Sequence, residues 1–110
     1  MKQIKAYVRT YMSDKVIHAL KEIGAPRLTA IDIRVMGDEI DPHHLEISSA
    51  HAGTYTTMVK LEIVCSDDQV DSIRDIIIKN ARTGYKGDGI VVISPVDETV
   101  GIRDGRLSTK

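Results

Sequence analysis

The sequence predicts an α+β fold, a four-stranded antiparallel sheet with two helices on one face, in the order βαββαβ. Three observations predict it. The stretches KQIKAYVR and TTMVKLEIVC alternate apolar and polar residues, the period of a half-buried strand. Stretches 13–24 and 66–82 repeat apolar residues at helical spacing behind a serine able to cap. The two halves then run in the same order, β-α-β and β-α-β, across a segment with neither period. That is the ferredoxin-like split βαβ sandwich, and 110 residues make it a single domain, 1–110.

Each element has its own justification. In the first strand Ile4, Ala6 and Val8 share one face, with Lys5, Tyr7 and Arg9 on the other. Ser13 offers an N-cap oxygen and Asp14 an anion in the first turn, so the first helix is expected to start there. Val16, Ile17, Leu20 and Ile23 form its stripe, and Gly24 with Pro26 ends it. LTAIDIRVMG reads as the second strand, with Ile31, Ile33 and Val35 on one face. Residues 37–53 form a long loop; loops beyond roughly 12–15 residues are uncommon without function. Ordering it costs about 1–2 kcal/mol per residue, so it is expected to be flexible when free and to order against a partner.

Val59, Leu61, Ile63 and Cys65 are the inward positions of the third strand. Ser66-Asp67-Asp68-Gln69 is a capping box. Val70, Ile73, Ile77 and Ala81 stripe the second helix, which Arg82 and Gly84 close, and IVVISPV is the fourth strand. Segment 97–110 is a polar C-terminal tail with one short β-like patch. The sheet face away from the helices is expected to carry Tyr7, Arg34, Lys60 and Glu62 among apolar residues. A fully solvated face does not need those apolar residues, so subunits are expected to pack there as a closed ring.

Composition narrows the function. With 42% apolar and 28% charged residues the chain is globular, and a formal net charge of −1 argues against a broad nucleic-acid-binding face. Phe and Trp are absent, so the aromatic rows of an RNA-recognition sheet are missing. Apolar runs reach only four residues, which predicts no membrane insertion. No secretory leader is evident, and the single Cys65 fits a reducing cytoplasm, where it reads as a core thiol.

Two stretches carry chemistry. TGYKGDG at 83–89 holds three glycines and an aspartate between a helix and a strand. Either it is a phosphate cradle, with backbone amides converging on an anion, or a helix cap at Gly84 followed by a turn at Asp88-Gly89. In the cradle, Asp88 would not bind phosphate but would hold the loop through nearby amides. His43, His44, Glu46 and His51 lie close together in the long loop and have donor types suited to a transition metal. Their spacing fits no zinc template, so the competing reading is solvated loop side chains. No catalytic base is identifiable, and the chain is read as a non-enzyme.

These residues together resemble the PII nitrogen-regulatory signal-transduction proteins. ARTGYKGDGIVVISPVDETVGIRDG at 81–105 resembles the family's ARTGxxGDGKIFVxxVxxxxRIRTG, VKLEIVC at 59–65 its VKIEIVV, and SDKVIHALKEIG at 13–24 its first helix. The resemblance implies a homotrimer that senses adenine nucleotides between subunits. By position it implies nucleotide contacts at Thr29, Gly37, Val64, Gly87, Asp88, Gly89 and Arg103, so the cradle reading is favoured. The loop 37–53 would be the arm that meets a regulated membrane transporter or cytosolic enzyme.

Departures from the family pattern shape the expectation further. Where the family places cations around the polyphosphate, this chain has Ile90, Gly101 and Asp38. Each charge-assisted hydrogen bond is worth about 1.5–3 kcal/mol, so AMP or ADP is expected to be favoured over ATP, with Arg82 and Lys86 as compensating phosphate contacts. The positions that read 2-oxoglutarate in the family are Glu39 and Met58, so no response to that effector is expected. The uridylylated tyrosine falls at His51, while Ser49 matches a serine phosphorylated in some members. In lacking these hallmarks the chain resembles divergent branches of the family, associated with bicarbonate and carboxysome functions or with metal efflux, which implies bicarbonate or another small anion as a second effector. The alternative is a trimeric metal-tolerance module using His43, His44, Glu46 and His51.

Overall fold

Ile4, Ala6 and Val8 from one strand, and Val59, Leu61, Ile63 and Cys65 from another, are all buried, as period-two alternation requires. The structure, a computed structural model, describes residues 1–37, 45–48 and 53–109. In chain order the elements are β1 (Lys2–Arg9), α1 (Thr10–Glu22), β2 (Leu28–Val35), β3 (Glu46–Ser48), β4 (Gly53–Cys65), α2 (Val70–Ala81), β5 (Gly89–Pro95), β6 (Thr99–Val100) and β7 (Leu107–Ser108). The main sheet runs β2-β4-β1-β5, every neighbour antiparallel, with β3 added on the first residues of β4. This is the expected four-stranded sheet with two helices. β6 and β7 make a separate hairpin within the C-terminal segment.

The helices cover the middle of the sheet. Val16 and Leu20 of α1 and Ile73, Ile77 and Ala81 of α2 join the inward residues of β1 and β4 in one cluster. Each large aliphatic side chain buried there contributes about 1.5–3 kcal/mol of transfer free energy. Gly24, at φ 69, ends α1: its amide donates to the Lys21 carbonyl and the Ala25 amide to the Leu20 carbonyl, both at 3.0 Å. That is a Schellman motif. Before α2, Gln69 Oε1 accepts from the Ser66 amide at 3.2 Å, closing the capping box.

Two expectations are corrected. α1 begins at Thr10, not behind Ser13, and Arg9 is the residue that flanks it. Ser13 is buried inside the helix, its hydroxyl donating to the Thr10 carbonyl at 2.7 Å. Tertiary contacts fix the earlier turn: Arg9 is tied to Asp88, and the Thr10 hydroxyl donates to the Thr57 carbonyl at 3.1 Å. The second correction concerns Arg34. It pairs in register with Thr57, whose neighbour Met58 pairs with Ile33, so Arg34 lies on the helix side of the sheet. There its guanidinium sits 4.9 Å from the centroid of the Tyr55 ring.

The opposite face keeps Tyr7, Lys60 and Glu62, with Ile31, Ile33 and Val35 of β2 and Ile90 and Val92 of β5. Lys60 and Glu62 pair at 3.1 Å within it. Cys65 is 3% exposed, and burial pushes its thiol pKa up, although the nearby N-terminal ammonium works the other way. It is a core thiol, as read from the strand pattern.

Candidate functional site

The phosphate-loop candidate is built between the end of α2 and the start of β5. α2 stops at Ala81, and the Arg82 amide donates to the Ile78 carbonyl at 3.1 Å. Gly84, Gly87 and Gly89 then take φ values of 90, 100 and 106, in the left-handed region that side chains avoid. Gly89 is doubly constrained: a Cβ there would lie 1.7 Å from the Tyr7 carbonyl oxygen. Close pairing of β5 with β1 therefore requires glycine at the loop exit.

Asp88 organises this loop. Its Oδ2 accepts from the amides of Thr83 and Gly84, each at 2.9 Å. Its Oδ1 accepts from the Thr83 hydroxyl and from Arg9 Nε, the latter at 3.0 Å. Burial acts to raise the carboxyl pKa, but the Thr83 hydroxyl, the Thr83 and Gly84 amides and Arg9 outweigh it and hold Asp88 at about 2. A carboxylate so engaged fixes a loop; it does not grip a second anion. The reading of Asp88 as the holder of the loop matches this geometry, and the helix ends too early for Gly84 to be its cap.

Other candidates gather around the same end of the sheet. Arg82 lines a cleft of about 360 Å³ together with Tyr7, Asp88, Gly89 and Ile90. Lys86 is exposed, and its carbonyl accepts from Arg9 Nη2 at 2.9 Å. Met58 is 2% exposed and pairs in register with Arg9, and its Cε lies 3.2 Å from where a Gly89 Cβ would stand. Gly37 follows β2 at this end, since Val35 pairs with Thr56 two residues before Met58.

The remaining candidates lie elsewhere. Thr29 and Val64 line a second cleft, about 390 Å³, with Glu62, Arg27 and Gly101. Arg103 stands exposed in the turn after Gly101, whose amide donates to the Arg106 carbonyl at 2.9 Å. Val64 pairs with Gln3 on β1, whereas Gly89 pairs with Val8. Five residues of strand separate these levels, about 17 Å, and Thr29 is three strands away from β5, about 14 Å more laterally. One copy of the chain thus carries the candidates in two separate groups and does not bring them together.

Glu39, His43, His44, Ser49 and His51 lie outside the described residues, and Glu46 is placed only as the first residue of β3. Sequence reasoning missed Arg9, which the structure makes a partner of Asp88. The available signal was weak: a cation at the last alternating position of β1, next to a helix start. No helix among the described residues is long and apolar enough to cross a membrane.

The family model of nitrogen regulatory protein P-II matches residues 1–106. The chain belongs to the P-II family. The P-II protein of Microchaete diplosiphon is 36% identical over 110 residues, covering 100% of this chain and 98% of its relative. That of Nostoc punctiforme is likewise 36% identical, with the same coverage. Nitrogen regulatory protein P-II 2 of Methanothermobacter thermautotrophicus is 35% identical over 115 residues, covering 100% and 96%. The P-II match takes in both groups of candidates, and P-II proteins are regulatory proteins by their family description.

Proposed function

We propose that this P-II chain is a non-enzymatic signal-transduction regulator that binds an adenine nucleotide between neighbouring subunits of a homotrimer. The observation that carries the reading is the division of the site. A pinned, glycine-shaped loop stands at one end of the sheet, and a cleft lined by Thr29 and Val64 stands at the other. The cleft lies on the sheet face left bare by the helices, and the loop leads into Ile90 on that face, where Ile31 is 38%, Ile90 54% and Val92 41% exposed. A closed ring covers that face and sets the loop of one subunit against the cleft of the next.

AMP or ADP is the favoured nucleotide. Ile90, exposed just after Gly89, supplies no charge to a polyphosphate, and neither does Gly101 in the second cleft. Met58 offers a buried thioether beside the loop, which gives a dianion such as 2-oxoglutarate no cation. Bicarbonate is the second effector in this reading. Segment 37–53 is the arm that carries the signal to a membrane transporter or cytosolic enzyme, and the protein acts in the cytoplasm. Nucleotide contact at the base of the arm gives the two loop states different affinities, as any ligand-driven switch needs.

Isothermal titration calorimetry with AMP, ADP and ATP, each with and without bicarbonate or 2-oxoglutarate, tests the reading. Binding of AMP or ADP that bicarbonate strengthens and 2-oxoglutarate leaves unchanged is expected. No heat with any nucleotide would overturn it.

A further inference from the structure

We infer that Arg9 is the positioning residue of the phosphate loop, a role that rests on the nucleotide reading above. Arg9 ends β1 and is only 4% exposed, a burial that guanidinium groups tolerate when they are paired and hydrogen-bonded. Nε donates to Asp88 Oδ1 at 3.0 Å and Nη2 to the Lys86 carbonyl at 2.9 Å. These two acceptors flank Gly87, a buried residue at φ 100. The planar fork therefore grips the turn on both sides of its glycine, a geometry that an ammonium cannot reproduce.

The grip has a directional consequence. The Lys86 carbonyl and the Gly87 amide belong to one planar trans peptide, so they point in opposite directions. Holding the carbonyl on Arg9 turns the Gly87 N–H away from Arg9 and fixes that orientation. Asp88 meanwhile holds the Thr83 and Gly84 amides, so the loop is tied at its entrance, its turn and its exit from one buried centre. Arg9 acts on phosphate through this peptide and not by its own charge, which Asp88 neutralises within the protein. Arg9 also pairs in register with Met58, and the next residue, Thr10, holds the Thr57 carbonyl. The centre that fixes the phosphate loop is thus continuous with the strand that enters from the long arm.

The test compares AMP with adenosine, which lacks the phosphate, by calorimetry on the intact protein and on Arg9→Met and Arg9→Lys. Arg9→Met is expected to weaken AMP binding about tenfold or more while leaving adenosine binding unchanged. Arg9→Lys, which keeps the charge but lacks the planar fork, is expected to fall between. A merely structural role would lower AMP and adenosine affinity alike, and that result, or wild-type AMP affinity in Arg9→Met, overturns the inference. Hydrogen exchange on the ligand-free proteins supplies a readout independent of nucleotide. The Thr83 and Gly84 amides should exchange faster in both variants while those in the middle of β1 and β4 do not. If the unaltered protein binds no AMP, the nucleotide reading fails, and unchanged loop exchange would then sink the role of Arg9 separately. Should Arg9→Met not fold, Arg9→Lys carries both measurements.

Discussion

Replacing Gly89 by alanine isolates the closest approach in the site. The new Cβ would stand 1.7 Å from the Tyr7 carbonyl oxygen and 2.8 Å from its carbon, in a backbone at φ 106. The dihedral alone costs about 1–3 kcal/mol for a residue with a side chain. Relief of the clash needs a shift of more than an ångström, and the obstacle is backbone, not a side chain that can swing aside. β1 is held between β4 and β5, so it is β5 that must move, weakening the pairing of Gly89 with Val8 and Ile90 with Tyr7. Two weakened ladder bonds at about 0.5–1.5 kcal/mol each bring the expected loss to roughly 2–6 kcal/mol. Gly84→Ala is the matched control, because Gly84 has φ 90 but nothing within 4 Å of its Cβ position. It should lose only the dihedral share, about 1–3 kcal/mol. Urea unfolding of both variants at one chain concentration measures the difference. If the two fall within about 1 kcal/mol of each other, the close approach of β5 to Tyr7 is not what demands glycine.

Asp88→Asn removes the charge that Thr83, Gly84 and Arg9 stabilise. A fall in the carboxyl pKa from 3.8 to about 2 corresponds to about 2 kcal/mol. The folded-state pKa is the lower one, so this stability is fully present above pH 4 and is lost as pH falls through about 2. The gap between wild type and Asp88→Asn should therefore close between those limits, which unfolding measured at stepped acid pH can follow. Ile90→Lys places an ammonium directly beyond Gly89 on the bare face and is expected to tighten ATP binding about tenfold, more than AMP binding, in parallel titrations.

The sequence made some parts of this protein legible because a single periodicity sufficed. The buried rows of β1 and β4 and the stripe of α2 each face one homogeneous core, so apolar spacing maps directly onto burial. The start of α1 was not legible, because Ser13 has the chemistry of a cap while the turn is set by contacts from Arg9 and Thr10 to distant residues. Arg34 was misplaced for a related reason. β2 lies at the sheet edge, where the core reaches only Leu28 at its start, so Ile31, Ile33 and Val35 face away from the helices while Asp32 and Arg34 lie on the helix side.

The candidate site divides in the same way. The residue types of TGYKGDG established by themselves that the chain could make a glycine-shaped loop with an aspartate to hold it, because backbone freedom and hydrogen-bonding capacity are properties of the residues. Tertiary structure alone decided that Asp88 spends its oxygens on Thr83, Gly84 and Arg9, and that Gly89 must pass against Tyr7. It also decided that Thr29 and Val64 stand at the far end of the sheet from the loop. Those facts depend on strand order and register, which are set by pairings between residues as far apart in the chain as Arg9 and Asp88. No local stretch of sequence contains that information.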